Sequence, residues 1–365
     1  MLWKTACILL SVMSLLALPA PLMAQLEPLR LYCGVNQEIP VRVTVPATVS
    51  GRAEVHLIAP ATGRLITRSS IDTGTVDLGA VFPLLWTDRN PRVRYAQLVV
   101  DEQKIGPPLV IEPLVTPAKA EDRLTSILRA ASLLDNATEN MRSILSLPLS
   151  ARQRLRDEIT MREPRERVYS GVRVWTLERI IFETTAGELE LALRPDAAPR
   201  TAFHFLTLCK GGFYIGTTFH RVVKEDAQGN PFLIQGGDPT GTGVGGPGFS
   251  IEFEPSSLAH DFGVVSLARM PQDPNSGGSQ FFICLSREGG RPLDGQYTAF
   301  AEVVGGATTI QTIAAVPVGP IDPADDRSPR ERPLEPPVIT GIRVISSTPA
   351  RPERVEQEDL RPVRR

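Results

Sequence analysis

Cysteine is scarce in this chain. Four residues in 365, with no CxxC pair, exclude a disulfide-dense scaffold and the usual zinc-finger spacings. Histidine is as sparse, and His56, His204, His220 and His260 stand apart without metal-ligand spacing. Net charge is close to absent at −2, so no global field draws the chain toward nucleic acid or an anionic membrane. GxxxxGK[ST], HExxH and GxSxG do not occur, and no residue set reads as a nucleophile with its base. Gly241, Gly243 and Gly246 satisfy GxGxxG, but Pro247–Gly248–Phe249–Ser250–Ile251 heads into a strand, whereas a dinucleotide fingerprint opens a helix. The sequence therefore implies neither a metal nor a cofactor.

Proline and glycine are plentiful instead, 33 and 29 residues, which argues for strands, turns and linkers over a long helical bundle. Hydrophobic residues at 42% and charged residues at 22% allow a packed core and exclude wholesale disorder. The first 24 residues read as a signal peptide: Lys4, the apolar run ACILLSVMSLLAL, and a cleavage point after Ala24. Export to the periplasm or medium follows, with no membrane span after cleavage; retention as an anchor is the other reading. Cleavage removes Cys7 and leaves Cys33, Cys209 and Cys284. That number is odd, so at least one thiol stays free even in an oxidising compartment.

Residues 26–117 alternate β-branched residues between Pro/Gly turns and predict a small β-sandwich-like domain of unknown role. His56 falls there as a strand-surface residue. After Pro117 the pattern becomes helical, with Leu124, Ile127, Leu128, Ala131 and Leu134 on one face. Residues 118–171 thus read as a helical connector, whose stripe either packs on its own chain or supports self-association. The composition switch and the REPRERV run suggest that the domains on either side fold independently. Residues 348–365, rich in Pro, Arg and Glu, read as a disordered tail.

The chemistry lies in residues 172–347. TTFHRVV brings Arg221; FLIQGGDPTGTG brings Phe232, Leu233 and Gln235; NSGGSQFFICL brings Gln280 and Phe282; RPLDGQYTAF brings Leu293 and Tyr297. Strand alternation puts Phe232 with Ile234 on one face and Leu233 with Gln235 on the other. Polar groups in otherwise apolar strands need partners or a function, which sets Arg221, Gln235 and Gln280 apart.

With GTGVGGPG, FEP and GVVSLAR in their places between these segments, the run from about Leu177 to Ile345 resembles the cyclophilin family of peptidyl-prolyl cis-trans isomerases. The resemblance implies a mainly β fold: a closed eight-stranded antiparallel barrel capped by two helices, one opening at Pro199 and one over GGATTIQTIAAV. It implies isomerase activity on proline-containing polypeptides. Arg221 would be catalytic with Gln235 beside it, and Phe232, Leu233, Phe282 and Leu293 would form the apolar pocket. Ala268 and Arg269 would contact the substrate backbone, Gln280 would support them, and Tyr297, in place of a common His, would line the rim. A non-catalytic proline-peptide binder or scaffold using the same groove is the alternative. Two further departures stand out: KEDAQGNP lengthens the loop before Phe232, and Pro292 stands where animal-type members carry a Trp, the residue that holds cyclosporin in members that bind it well. Cys209 and Cys284 fall on separate elements and are expected to be reduced and buried.

Overall fold

The computed structural model describes residues 25–45, 49, 51–88, 90–117, 148, 167–322, 324–325 and 327–347. The expected signal peptide, the connector up to residue 166 and the C-terminal tail lie outside them. No helix of the described residues is long and apolar enough to cross a membrane.

The N-terminal part is two packed antiparallel sheets. β1 (Gln25–Pro28), β3 (Pro40–Thr44) and β6 (Gly74–Asp77) form one sheet, in the order β1-β3-β6. The other contains β2 (Tyr32–Gly34), β4 (Ala53–Ala59), β5 (Arg64–Ser70), β7 (Arg94–Val100), β8 (Gln103–Pro117) and β9 (Arg167–Thr176), in the order β2-β9-β8-β7-β4-β5. Leu26, Val41 and Val43 meet Val55, Leu57, Leu98, Leu109, Ile111 and Val174 between them. The TVDLGAVF segment, within the run of residues 26–117 expected to be β, turns helical at Leu78. Asp77 accepts hydrogen bonds from the N–H groups of Gly79 and Ile39 (2.9 and 2.7 Å), which stops the strand and caps a short helix, α1 (Leu78–Val81). α2 (Leu84–Thr87) follows.

β9 changes the expected domain boundary. Its Val172 lies opposite Pro113 of β8 and Cys33 of β2, so the chain passes to the second unit at Leu177 and not at residue 172. Residues 118–166 therefore leave and re-enter one β-hairpin, with Pro117 paired to Arg167 at its open end.

The second unit comprises β10 (Glu178–Thr184), β11 (Gly187–Leu193), β12 (Arg221–Glu225), β13 (Pro231–Gly236), β14 (Val264–Leu267), β15 (Phe281–Cys284), β16 (Thr298–Gly305) and β19 (Ile339–Ser346). They pair antiparallel in the order β12-β13-β15-β14-β16-β11-β10-β19. The segment before β12 then closes the sheet on the start of β19. Ile339 N–H donates to Thr217 O (2.9 Å) and Phe219 N–H to Pro337 O (2.9 Å). Strand alternation sends Val222, Ile234, Ile283, Val265 and Ala301 inward and leaves their neighbours on the outer face.

α3 (Pro199–Lys210) packs on this core through Phe205, Leu206 and Cys209, with Pro199 in its first turn. Glu254 accepts from the Thr201 N–H and hydroxyl, both at 2.8 Å, and so satisfies donors that the helix itself leaves open. α4 (Arg287–Gly290) and α5 (Ala307–Ala315) follow, and a small hairpin, β17 (Val318–Pro320) with β18 (Arg330–Pro333), lies beside β12. Cys33, Cys209 and Cys284 are buried free thiols.

Candidate active site

The outer face of β12, β13, β15 and β14 carries a row of directly opposed residues: Arg221, Gln235, Phe282 and Ser266. Residues facing one another across an antiparallel pair point to the same side, so the register alone gathers these four. The next row is Val223, Leu233 and Cys284. Val223, Leu233, Phe282 and Cys284 make a small apolar cluster separate from the barrel core, and Phe232, Ala268, Leu293 and Tyr297 pack against it. Phe232 thus reaches the cluster from beside Leu233, although simple alternation assigns it to the other face. The Tyr297 ring stands edge-on to Phe282 (5.4 Å, 85°).

Arg221 borders this bowl. Its Nη1 donates to Gln235 Oε1 (3.2 Å), Gln235 Nε2 donates to Gln280 Oε1 (2.9 Å), and Gln280 Nε2 donates to Gly243 O (3.0 Å) and Gly245 O (2.8 Å). Both amide orientations are fixed by the ends of the ladder, because a guanidinium only donates and a backbone carbonyl only accepts. The glycine stretch is the loop expected from sequence. Asp238 folds it by accepting from the N–H groups of Thr240, Gly243 and Gly245, and a Cβ on Gly245 would collide with that carboxylate.

The rim is tied separately. Ala268 N–H donates to Gln280 O (2.9 Å). Arg269 lies over the Tyr297 ring (4.6 Å) and donates to the carbonyls of Gln296, Met270 and Pro271. Its side chain therefore organises the loop. The lengthened KEDAQGNP segment extends β12 and β13 into a tight hairpin whose turn Asp226 holds, accepting from the N–H groups of Gln228 and Asn230 (both 2.9 Å). Pro292 is exposed beside Leu293.

Below Phe282 sits a pair that sequence reading did not single out. His260 stacks on the Phe282 ring (15° between planes) and bonds Asp294 through Nδ1 (3.0 Å) and Ser266 Oγ through Nε2 (2.9 Å). Arg287 holds the Asp294 carboxyl far below the usual carboxylate range, so Asp294 is an acceptor and Nδ1 carries the proton. Burial, opposed by Asp294, lowers the His260 pKa, and Nε2 of the neutral ring accepts a hydrogen bond from the Ser266 hydroxyl. Ser266 is fully buried with its O–H spent on His260, so the trio supports the pocket floor and is no catalytic triad. Burial also pushes the Cys284 thiol up to about 12, which makes it an inert packing residue. Among the described residues no group of His, Cys, Asp or Glu side chains is placed to hold a metal.

An antiparallel eight-stranded barrel thus carries, on its outer face, a small apolar cluster with the Arg221–Gln235–Gln280 ladder beside it. A family model described as cyclophilin type peptidyl-prolyl cis-trans isomerase/CLD matches residues 179–344. A putative peptidyl-prolyl cis-trans isomerase of Staphylococcus aureus (strain USA300) is 37% identical over 174 residues, covering 40% of this chain and 84% of that protein. Peptidyl-prolyl cis-trans isomerase CYP65 of Arabidopsis thaliana is 42% identical over 146 residues, covering 39% of this chain but only 23% of that protein. A crystal structure of a Cryptosporidium parvum cyclophilin type isomerase has a TM-score of 0.40 and 32% identity, covering 47% of this chain and 99% of that one. The chain belongs to the cyclophilin-type peptidyl-prolyl cis-trans isomerases.

Proposed function

We propose that the barrel catalyses rotation about X–Pro bonds in polypeptide clients of the cell envelope, with Arg221 as the catalytic residue and Gln235 as its partner. The N-terminal segment, with Lys4 ahead of an apolar run and Ala24 at its end, supports export. One observation supports the catalytic reading: Arg221 stands opposite Gln235, which stands opposite Phe282 of the apolar cluster, and its guanidinium donates to the Gln235 amide oxygen.

An X–Pro amide resists rotation by about 18–20 kcal/mol and interconverts over tens to hundreds of seconds. Reaching milliseconds takes about four decades, or roughly 5–6 kcal/mol. The pyrrolidine ring sits in the bowl formed by Phe232, Leu233, Phe282 and Leu293, with Tyr297 closing one side. The backbone around Ala268 and Arg269 fixes the flanking peptide, and Gln280 braces both Gln235 and the glycine loop. As the amide twists, resonance is lost and the prolyl nitrogen gains a localised lone pair. A hydrogen bond from Arg221 to that nitrogen is therefore stronger in the transition state than in the ground state, which is what lowers a barrier. A charge-assisted bond of this kind contributes about 1.5–3 kcal/mol. Arginine keeps its proton at every relevant pH, so the rate stays flat around neutrality. No bond is made or broken covalently, and none of the steps uses a cofactor.

The alternative is a scaffold that binds proline peptides without turning them over. A protease-free isomerisation assay on the full chain separates the two. Catalysis well above the uncatalysed rate is expected; peptide binding with the rate left at background would establish the scaffold.

A further inference from the structure

Arg221 has a second partner, and it comes from outside the barrel. Nε donates to Glu331 Oε2 at 2.6 Å, shorter than the 3.2 Å bond to Gln235. Glu331 lies on β18, 110 residues further along the chain, and its side chain is 18% exposed against 38% for Arg221. The β17–β18 register explains how the carboxylate gets there. Gly319 pairs with Arg332 and Pro320 with Arg330, so Glu331 is the residue skipped between them. A β-bulge turns the skipped side chain away from the ladder, and such bulges recur next to active sites because they re-aim one residue. Arg330 and Arg332 on either side are exposed, while Glu331 is turned inward onto the guanidinium.

We propose that Glu331 is a positioning residue for Arg221: the C-terminal hairpin fixes the rotamer that aims the guanidinium into the proline groove. This rests on the isomerase reading. The two known bonds use Nε–H and one N–H of Nη1, and no described residue takes the remaining N–H groups on Nη1 and Nη2, which are left for substrate. A long, partly exposed arginine loses much rotamer freedom when it is held at both sides. Glu331 removes that loss from the catalytic step by holding the side chain before substrate arrives. The carboxylate also completes a continuous ladder, Glu331–Arg221–Gln235–Gln280–glycine loop, which spans the site from the C-terminal hairpin to the loop at Gly243 and Gly245. The geometry favours positioning over blocking because Glu331 occupies Nε, at the stem side of the guanidinium, and leaves its outer nitrogen Nη2 open.

The test compares wild type, Glu331→Ala and Glu331→Gln as full chains, by isomerisation kinetics, thermal melts and ¹⁵N relaxation at Arg221 Nε. Misplacing a catalytic group typically costs about 10- to 100-fold, and Glu331→Ala is expected to lower kcat/KM by that amount, chiefly through kcat, at a temperature well below its melt. Glu331→Gln keeps an oxygen acceptor and should recover part of the loss. The Arg221 Nε should be rigid in wild type and mobile in Glu331→Ala. A lowered melt with unchanged kcat would reduce Glu331 to a hairpin anchor and overturn the proposal. A raised kcat would overturn it too, because the ion pair would then be holding Arg221 back. A mobile Nε in wild type overturns it whatever the kinetics. A wild type with a rigid Nε but no catalysis would leave the positioning intact and sink the isomerase reading instead.

Discussion

At the level of single residues, the site is a polar ladder laid over an apolar floor, and burial sets the proton states beneath it. His204, His220 and His260 all have pKa values below the ordinary 6.5, in each case mainly because burial disfavours the imidazolium. The folded values lie below the unfolded ones, so the unfolded chain takes up protons first on acidification. The stability these histidines contribute is complete above about pH 6.5 and is lost as pH falls below it. Thermal midpoints should therefore hold steady between about pH 7 and 8 and decline below about 6.5; a midpoint that climbs on acidification would contradict the buried neutral assignment. Pro292 offers a second test. It has no N–H and little apolar area at the rim, so cyclosporin should bind about 30- to 1000-fold more weakly than to members with Trp there. Stoichiometric inhibition of the isomerisation rate by the drug would refute this. The bowl residues Leu233, Phe282, Leu293 and Tyr297 were legible in sequence because each lies inside a contiguous signature. Glu331 was not, since it meets Arg221 through a bulge on a distant hairpin and no local pattern marks it.

Among the elements, the barrel strands followed from alternation and turns, and the glycine loop was recognisable because no helix follows it. β9 was harder to read. Its run VYSGVRVWT sits behind a charged stretch, and its alternation breaks at Gly171, where the register against β8 shifts between Leu114 and Val115. Gly171 has φ 142°, and a Cβ there would run into the Cys33 backbone, so the position needs glycine to let β2 approach. Because Pro117 and Arg167 are direct partners on adjacent strands, residues 118–166 are an excursion from a hairpin and not a bridge between domains. Replacing them by a short turn should leave the melting transition within about 3 °C of the full chain, the shift that about 1 kcal/mol produces in a unit of this size. Loss of the folded sheet on that replacement would show that the excursion supplies part of the core.

For the whole molecule, the expectation of two independently folding units meets a shared core. Ile58, Tyr95, Val110 and Trp175 of the N-terminal sheet belong to the same buried cluster as the barrel's Phe182, Phe205 and Phe300. Strand alternation accounts for this: in β7 and β8, Ala96, Leu98, Leu109 and Ile111 face the sandwich interior, which turns Tyr95 and Val110 toward the barrel. Arg173 fastens the junction, chelating the buried Glu112 (2.7 and 2.9 Å) while its guanidinium lies 3.9 Å from the centre of the Phe203 ring on α3. Such a stacked cation contributes about 0.5–2 kcal/mol. A barrel beginning at Leu177 should therefore melt below the full chain and expose Phe203; an unchanged midpoint would restore independent folding. The composition switch at Pro117 pointed to a boundary, but composition cannot show that the second strand of the hairpin returns after 49 intervening residues.

The account rests most directly on Arg221. Exchange spectroscopy on a proline-containing peptide, with wild type and Arg221→Ala at matched peptide occupancy, reads the rotation itself. Loss of a donor that contributes about 1.5–3 kcal/mol costs about 10- to 150-fold, and that fall in rate, with peptide still bound, is predicted. Equal rotation rates for the two proteins would contradict it.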